Sequence, residues 1–576
     1  MRLRLAITAT FFIPILLLSN GLRGIAPAEN RLDLMGSRGA IGTGFSAKNR
    51  LGFKANLYGS VQNTAGMASE NRETSTWEFA QILTDSVALG WVREYGSNSM
   101  PSTDQISGIT SDEMGNVYIT GTSDFDWLTI KYDASGDLVW SQSYTEPGII
   151  DTYGEEILVD EAGNVFVVGY RWGPYVNSDI LLLKYDQDGV QQWVEEYAGA
   201  GLNNDFPTSL AMDSSGNLFI GGYTYSASLE ADYLTLKYDP SGTLLWDAQF
   251  NGISTGDDWI TDMATDDAGN VYVAGITYSA DTGDDYAILK YDATGTNVWT
   301  TLYEGVNGSD WPTGIAVDYL SQVYVSGVSV ANDAYIDYYT LKLDTSGAAV
   351  WGIRYGVDGN GDSWASDVAV DSNLNVTVTG VSFAPSSGFD YVTIQYDSLG
   401  EEAWLTRYTS LLNLGYDEAT SLGMDSQGYI IVTGVTEASD GTDDIVTVKY
   451  DSSGVALWTN QYAGGENVDD MALSLSVDGN DAVLIGGMAI TDTSLENYAV
   501  IKYQADGTVA WNSEFDGPGN SSNLGSVLAT DGQSNVFVAG VVTSPQTGAD
   551  LTIMKYDTLG VTEWVIEYNG AGNGDD

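Results

Sequence analysis

The sequence predicts an all-β fold, a β-propeller of four-stranded antiparallel blades, and two regularities carry that prediction. A tryptophan recurs every 52 to 54 residues, at Trp140, Trp193, Trp246, Trp299, Trp351, Trp404, Trp458, Trp511 and Trp564. Each interval holds four short β patterns separated by Asp- and Gly-rich turns. Four strands repeated in tandem over this length are the signature of a propeller blade. A helical solenoid needs 3.6-residue periodicity over long stretches, and the chain has none.

The unit around Trp299 shows each element in order. Ile260–Thr265 alternates as a first strand, and Asp266-Asp267-Ala268-Gly269-Asn270 is a turn. Val271–Gly275 is a second strand, followed by an exposed acidic loop over Thr277–Asp284. Asp285–Tyr291 is a third strand, Asp292-Ala293-Thr294-Gly295 a second turn, and Val298–Tyr303 the fourth strand. Asp opens such turns by accepting backbone N–H groups, and Gly supplies the positive φ. Trp299 and Tyr303 are four apart on a strand, so both project from one face, predicted to dock on the neighbouring blade.

The register around the tryptophans is strict. Gly stands four residues before every one, from Gly136 to Gly560, and an aromatic four residues after, from Tyr144 to Tyr568. Lys-Tyr-Asp precedes the Gly in most copies, with departures at Leu343, Gln395 and Gln504. The Lys is expected only to balance local charge at strand edges, a small contribution. The Lys-Tyr-Asp-x-x-Gly-x-x-x-Trp run, with Asp-x-x-Gly-Asn-Val-Tyr-Val-x-Gly upstream at Asp266–Gly275, resembles the bacterial SBBP β-propeller repeat. That resemblance spans about residues 75–576 and implies a propeller in an exported protein, often one module of a larger surface polypeptide; it implies no catalytic activity. The name suggests seven blades, whereas this chain holds nine complete units.

The ends depart from the repeat. Arg2, Arg4, an apolar run from Leu5 to Leu18, and Ala26-Pro27-Ala28 predict a signal peptide over 1–28. Residues 29–74 read as a flexible leader, and 75–576 as propeller repeats. Trp77–Gly96 matches the second half of a blade, with Trp77–Leu83 as third strand and Trp91 and Tyr95 on the fourth. Closure by strands from both termini would need a first and second strand after Tyr568, so the ring is expected to be C-terminally incomplete, with nine blades closing alone as an alternative.

Composition narrows the chemistry. There is no Cys and no His, which excludes disulfides, thiolate nucleophiles and imidazole-based triads or metal sites. A formal charge of −58 disfavours nucleic acid as a partner. No segment after the leader is long and apolar enough to span a membrane. The variable loops face away from the two Asp-Gly turns and are acidic and aromatic. They include Asp257-Asp258-Trp259, Asp310-Trp311, Asp362-Ser363-Trp364, Asp205-Phe206 and Asp469-Asp470, with further acids at Asp281, Asp284, Asp285, Asp443 and Asp444. Asp257, Asp258, Trp259, Asp310, Trp311, Asp362 and Trp364 are the candidate binding residues, for a glycan or protein ligand. Trp259, Trp311 and Trp364 either stack on that ligand or cap inner strands. Asp358, Asn360 and Asp362 have the alternating oxygen spacing of a calcium loop, with a solvated acidic loop as the alternative; no other cofactor is expected. The functional expectation is a secreted, non-enzymatic binding scaffold; the alternative is a secreted glycosidase-like hydrolase using loop carboxylates.

Overall fold

The computed structural model describes residues 92–95 and 105–568, except 113, 124–125, 136, 146–150, 174–175, 200–203, 226–229, 253, 306–307, 331–334, 357–360, 411–414, 440, 465–468, 491–495, 516–522 and 545–547. The expected signal peptide, leader, Trp77–Leu83 and Trp91 lie outside the described residues, as do Asp358 and Asn360. The described chain is all-β, a propeller-like series of four-stranded antiparallel sheets. No helix among the described residues is long and apolar enough to cross a membrane.

In the Trp299 unit the strands are Trp259–Thr265, Val271–Ser279, Gly283–Tyr291 and Asn297–Tyr303, paired in sequence order. The second and third strands run further than expected, pairing from Val271↔Tyr291 to Ser279↔Gly283. Most of the expected loop over Thr277–Asp284 is therefore the end of a hairpin. The first turn forms as its chemistry predicts: the Asp266 carboxylate accepts the N–H groups of Ala268 and Asn270, both at 3.0 Å, and Gly269 takes φ +73°. A bulge in the first strand, where register shifts between Ile260 and Asp262, recurs in the other sheets, as at Pro207/Ser209 and Pro312/Gly314. Bulges bend a strand and re-aim the side chains beyond them.

Each tryptophan sits between two units, as its spacing predicts. The core cluster around Trp299 joins Tyr272, Tyr286 and Ile288 of its own sheet to Ile315, Val325 and Leu343 of the next. Tyr303 stacks on Tyr339 of that next sheet at 3.8 Å between centroids. Trp140, Trp299, Trp404, Trp511 and Trp564 are buried; Trp193, Trp246, Trp351 and Trp458 are half-buried. The Trp299 indole lies directly over Gly347, the glycine of the next unit's second turn: a Cβ there would meet Trp299 Cδ2 at 2.5 Å. Its Nε1 also donates to Thr345 O of the same turn at 3.1 Å. The glycine thus serves its own turn, with φ +80°, and the preceding unit's tryptophan.

The repeated lysine departs from expectation. It is buried in most copies, and its ammonium reaches across to a turn of the next unit, the second turn for Lys131, Lys184, Lys342 and Lys449 and the first for Lys237 and Lys502. Lys131 and Trp140 both donate to Gln187 O, at 3.0 and 3.1 Å, and Lys449 and Trp458 both donate to Ala505 O, at 3.1 and 3.2 Å. Lys449 also pairs with Asp425 at 2.7 Å, as Lys502 does with Asp478 at 3.0 Å. Aromatic rings underlie it, as Tyr272 underlies Lys290 at 4.7 Å. A strand-edge position would be wet. This one is dry because the next sheet covers it, so the lysine both pairs with an aspartate of its own unit and staples that unit to the next. Where Gln395 replaces the lysine, its amide oxygen accepts the Trp404 indole N–H at 3.0 Å instead.

The first and last described four-stranded sheets also pack together. Val117, Ile119 and Tyr132 share a core with Phe537, Ile553 and Trp564. Ser111 Oγ donates to Thr530 O at 3.0 Å, and Lys555 donates to Ala134 O. Of the half blade expected at the N-terminus, Val92–Tyr95 is the described part. Val92–Tyr95 pairs in parallel with the outer edge of Thr562–Tyr568, from Val92↔Val565 to Tyr95↔Tyr568. It forms a fifth strand on that sheet, covering an edge that would otherwise be open.

Candidate functional site

The loop face is built on a repeated aspartate. Asp258, Asp310, Asp205, Asp417 and Asp470 each stand within two residues of the start of a first strand, and all are buried. Asp258 accepts the N–H of Gly252 at 2.8 Å and of Tyr278 at 2.9 Å, and its own N–H donates to Ala231 O of the preceding unit. Asp310 accepts from Gly305 at 2.6 Å and Val330 at 2.9 Å. Asp417 accepts from Ser410 N at 2.8 Å and Thr436 Oγ1 at 2.5 Å. Burial pushes the Asp258 and Asp310 carboxyls up, and the N–H and hydroxyl donors oppose that shift. These two predicted binding residues are buried and hold the base of the loop.

The neighbouring position joins adjacent units. Asp257 accepts the N–H of Ala231, and Asp362 that of Ile336, each at the start of the preceding unit's third strand. Both carboxylates are half-buried, so they remain within reach of the surface. Trp259, Trp311 and Trp364 occupy one register position, opposite Ile276, Val328 and Val381, and are half-buried. Trp259 Nε1 is buried without a partner among the described residues, whereas Trp364 Nε1 donates to Glu418 Oε1 at 3.1 Å. Tyr153 and Phe206 hold the same register position in the two preceding units, opposite Tyr170 and Tyr223, which gives five consecutive units an aromatic there. Of the calcium candidates, Asp362 alone is described; no group of three or more acids among the described residues is placed to hold a metal. The loop acids flanking the third strand are likewise engaged: Asp285 accepts from Thr282 Oγ1 at 2.6 Å, and Asp444 from Gln461 Nε2 at 2.7 Å.

A second set of carboxylates, on the first strands, has no counterpart among the residues the sequence singles out. Glu156, Asp262 and Asp367 each follow the bulge, and each accepts a backbone N–H of the next unit at 3.0 Å, from Leu210, Ile315 and Leu422. Burial, reinforced by neighbouring acids, raises Glu155 to about 8; burial likewise raises Glu156 to about 7, and Asp262 and Asp367 to about 6. The signal available in the sequence was positional, an acid two residues beyond a Gly, Ile or Ala, and it needs the bulge to be recognised first.

Comparison with known proteins finds similarity to propeller repeats. The model of the SBBP β-propeller repeat matches residues 90–126, 192–230, 246–281 and 298–333. Each match begins at a repeat tryptophan or one residue before one, at Trp91, Trp193, Trp246 and Trp299. The chain is also similar, at 24% identity over 455 residues, to an uncharacterised WD repeat-containing protein of Acanthamoeba polyphaga mimivirus. That alignment covers 63% of this chain and 29% of the viral protein, so the chain spans under a third of that relative's length. Among solved structures, a eukaryotic initiation factor superposes with TM-score 0.47 at 11% identity, covering 78% of this chain and 96% of that one. A protein from Lactobacillus plantarum superposes with TM-score 0.35 at 14% identity, covering 61% and 98%.

Proposed function

We propose that the chain is an exported, non-enzymatic scaffold: nine four-stranded blades closed into one ring, presenting the aromatic loop face to a glycan or protein partner. The observation that carries this reading is the repeated buried aspartate. In unit after unit it clamps the same loop base, through Asp205, Asp258, Asp310, Asp417 and Asp470, while the loop residues between the clamps differ. A fixed frame carrying variable loops is the arrangement binding scaffolds use. The shared core of Tyr132 and Trp564 supports ring closure. The propeller-repeat match and the WD-repeat relative support a repeat scaffold. The N-terminal 28 residues supply the export signal of this reading.

Trp259, Trp311 and Trp364, flanked by Asp257 and Asp362, are the contact residues of this proposal. Glycan-array binding by the full chain tests it, compared with a Trp259→Ala/Trp311→Ala/Trp364→Ala variant of unchanged circular dichroism. Saturable binding lost in the variant supports the face, and binding that survives the triple substitution refutes it. The loop of Asp358, Asn360 and Asp362 is the calcium site of the same reading. A rise in unfolding temperature with calcium but not magnesium, at matched ionic strength, supports that site, and equal curves refute it.

A further inference from the structure

The first strands Gln105–Ser111, Asp151–Val159, Met471–Val477 and Asn523–Thr530 line a cavity of 280 Å³. Its wall includes Gly108, Glu156, Ser474 and Val527, the residues that follow the bulge in their respective strands. Gly108 has no side chain to place at this position. Ile109, Val527 and Leu528 make the aliphatic part of the wall, and Ser107 and Ser474 bring hydroxyls to it.

The polar groups are incompletely used. Glu156 Oε2 accepts Leu210 N–H at 3.0 Å, while Oε1 has no hydrogen-bond or ionic partner among the described residues. Ser474 Oγ is buried and has no partner among the described residues either. Another acid, Asp262, raises the Glu156 carboxyl further, and no lysine or arginine among the described residues pairs with it. A carboxylate in this setting lacks one thing, a compact cation that also donates hydrogen bonds. The volume is just below the usual range of ligand pockets, which suits a small guest.

We propose that this cavity binds a primary ammonium group on a short alkyl chain, with the ammonium donating to Glu156 Oε1 and the serine hydroxyls and the chain lying against Val527 and Leu528. A free amine and a lysine side chain share this chemistry. Thermal unfolding of the full chain is followed while titrating n-butylammonium, N-acetyl-lysine amide, n-butanol or potassium at matched ionic strength. Butylammonium raises the midpoint saturably, and neither butanol nor potassium does. A rise with the blocked lysine as well assigns the site to a lysine side chain; a rise with butylammonium alone assigns it to a free amine. Glu156→Gln keeps an oxygen for Leu210 N–H and weakens binding by roughly tenfold or more. Val527→Phe, which fills the cavity without touching the carboxylate, abolishes it. No rise with either cation, or a rise that survives both substitutions in folded variants, overturns the proposal.

Discussion

The interlock of tryptophan and glycine between units makes a prediction that separates it from ordinary turn chemistry. Gly347 and Gly428 have nearly the same backbone, with φ +80° and +76°. Alanine at Gly428 meets nothing within 4 Å, whereas at Gly347 its Cβ falls 2.5 Å from Trp299 Cδ2 and 2.6 Å from Cγ. Holding a non-glycine residue in the left-handed region costs about 1–2 kcal/mol. About 0.4–1 kcal/mol of that is recovered because alanine restricts the unfolded chain. Gly428→Ala should therefore destabilise by about 0.5–1 kcal/mol. Gly347→Ala carries the same strain and must also displace a buried indole, about 1–3 kcal/mol for overpacking. It further disturbs the 3.1 Å bond from Trp299 Nε1 to Thr345 O, about 1 kcal/mol. The expected total is about 2–5 kcal/mol. In a Trp299→Ala background the indole is gone, and Gly347→Ala should fall back to the Gly428 value. Urea midpoints at constant m-value for the four variants measure this. Equal losses at Gly347 and Gly428, or the same Gly347 effect with and without Trp299, would refute the interlock.

Three further outcomes follow from the same contacts. Glu155 and Glu156 are raised from an ordinary 4.5 to about 8 and about 7, so the folded state holds more protons than the unfolded state between those limits. Their contribution to stability is fully present below about pH 4.5 and is lost as pH rises to about 8, and Glu155→Gln/Glu156→Gln should flatten that decline in a series of unfolding temperatures. Lys449→Met leaves the buried Asp425 without its cation and Ala505 O without that donor, and should cost about 3–5 kcal/mol; a loss below about 1 kcal/mol would return the lysine to a peripheral role. Leu374 holds φ +67° where most units place glycine, so Leu374→Gly should stabilise by about 0.5–1 kcal/mol, and a loss would mean that the leucine packs usefully.

What the sequence determined by itself was everything set by local, repeated chemistry. The strands follow from alternation, the turns from Asp and Gly, and the placement of Trp299 and Tyr303 against the next unit from their shared parity along a strand. Repetition makes these features legible, because the same residue stands at the same offset in every unit. Only the tertiary structure decided the roles that depend on what lies across a unit boundary. Asp257 and Asp258 are adjacent and chemically identical, yet Asp258 is buried on two N–H donors and Asp257 is half-buried. One residue along a strand reverses the direction of the side chain, and the bulge shifts that parity again. The repeated lysine looks like surface charge until the neighbouring sheet covers it. Glu155 and Glu156 look like two acids among 79 until four first strands converge beside them. Lys449 and Glu156 meet partners more than 50 positions away, Ala505 O and Leu210 N–H, and sequence pattern reports only what a residue's own strand dictates.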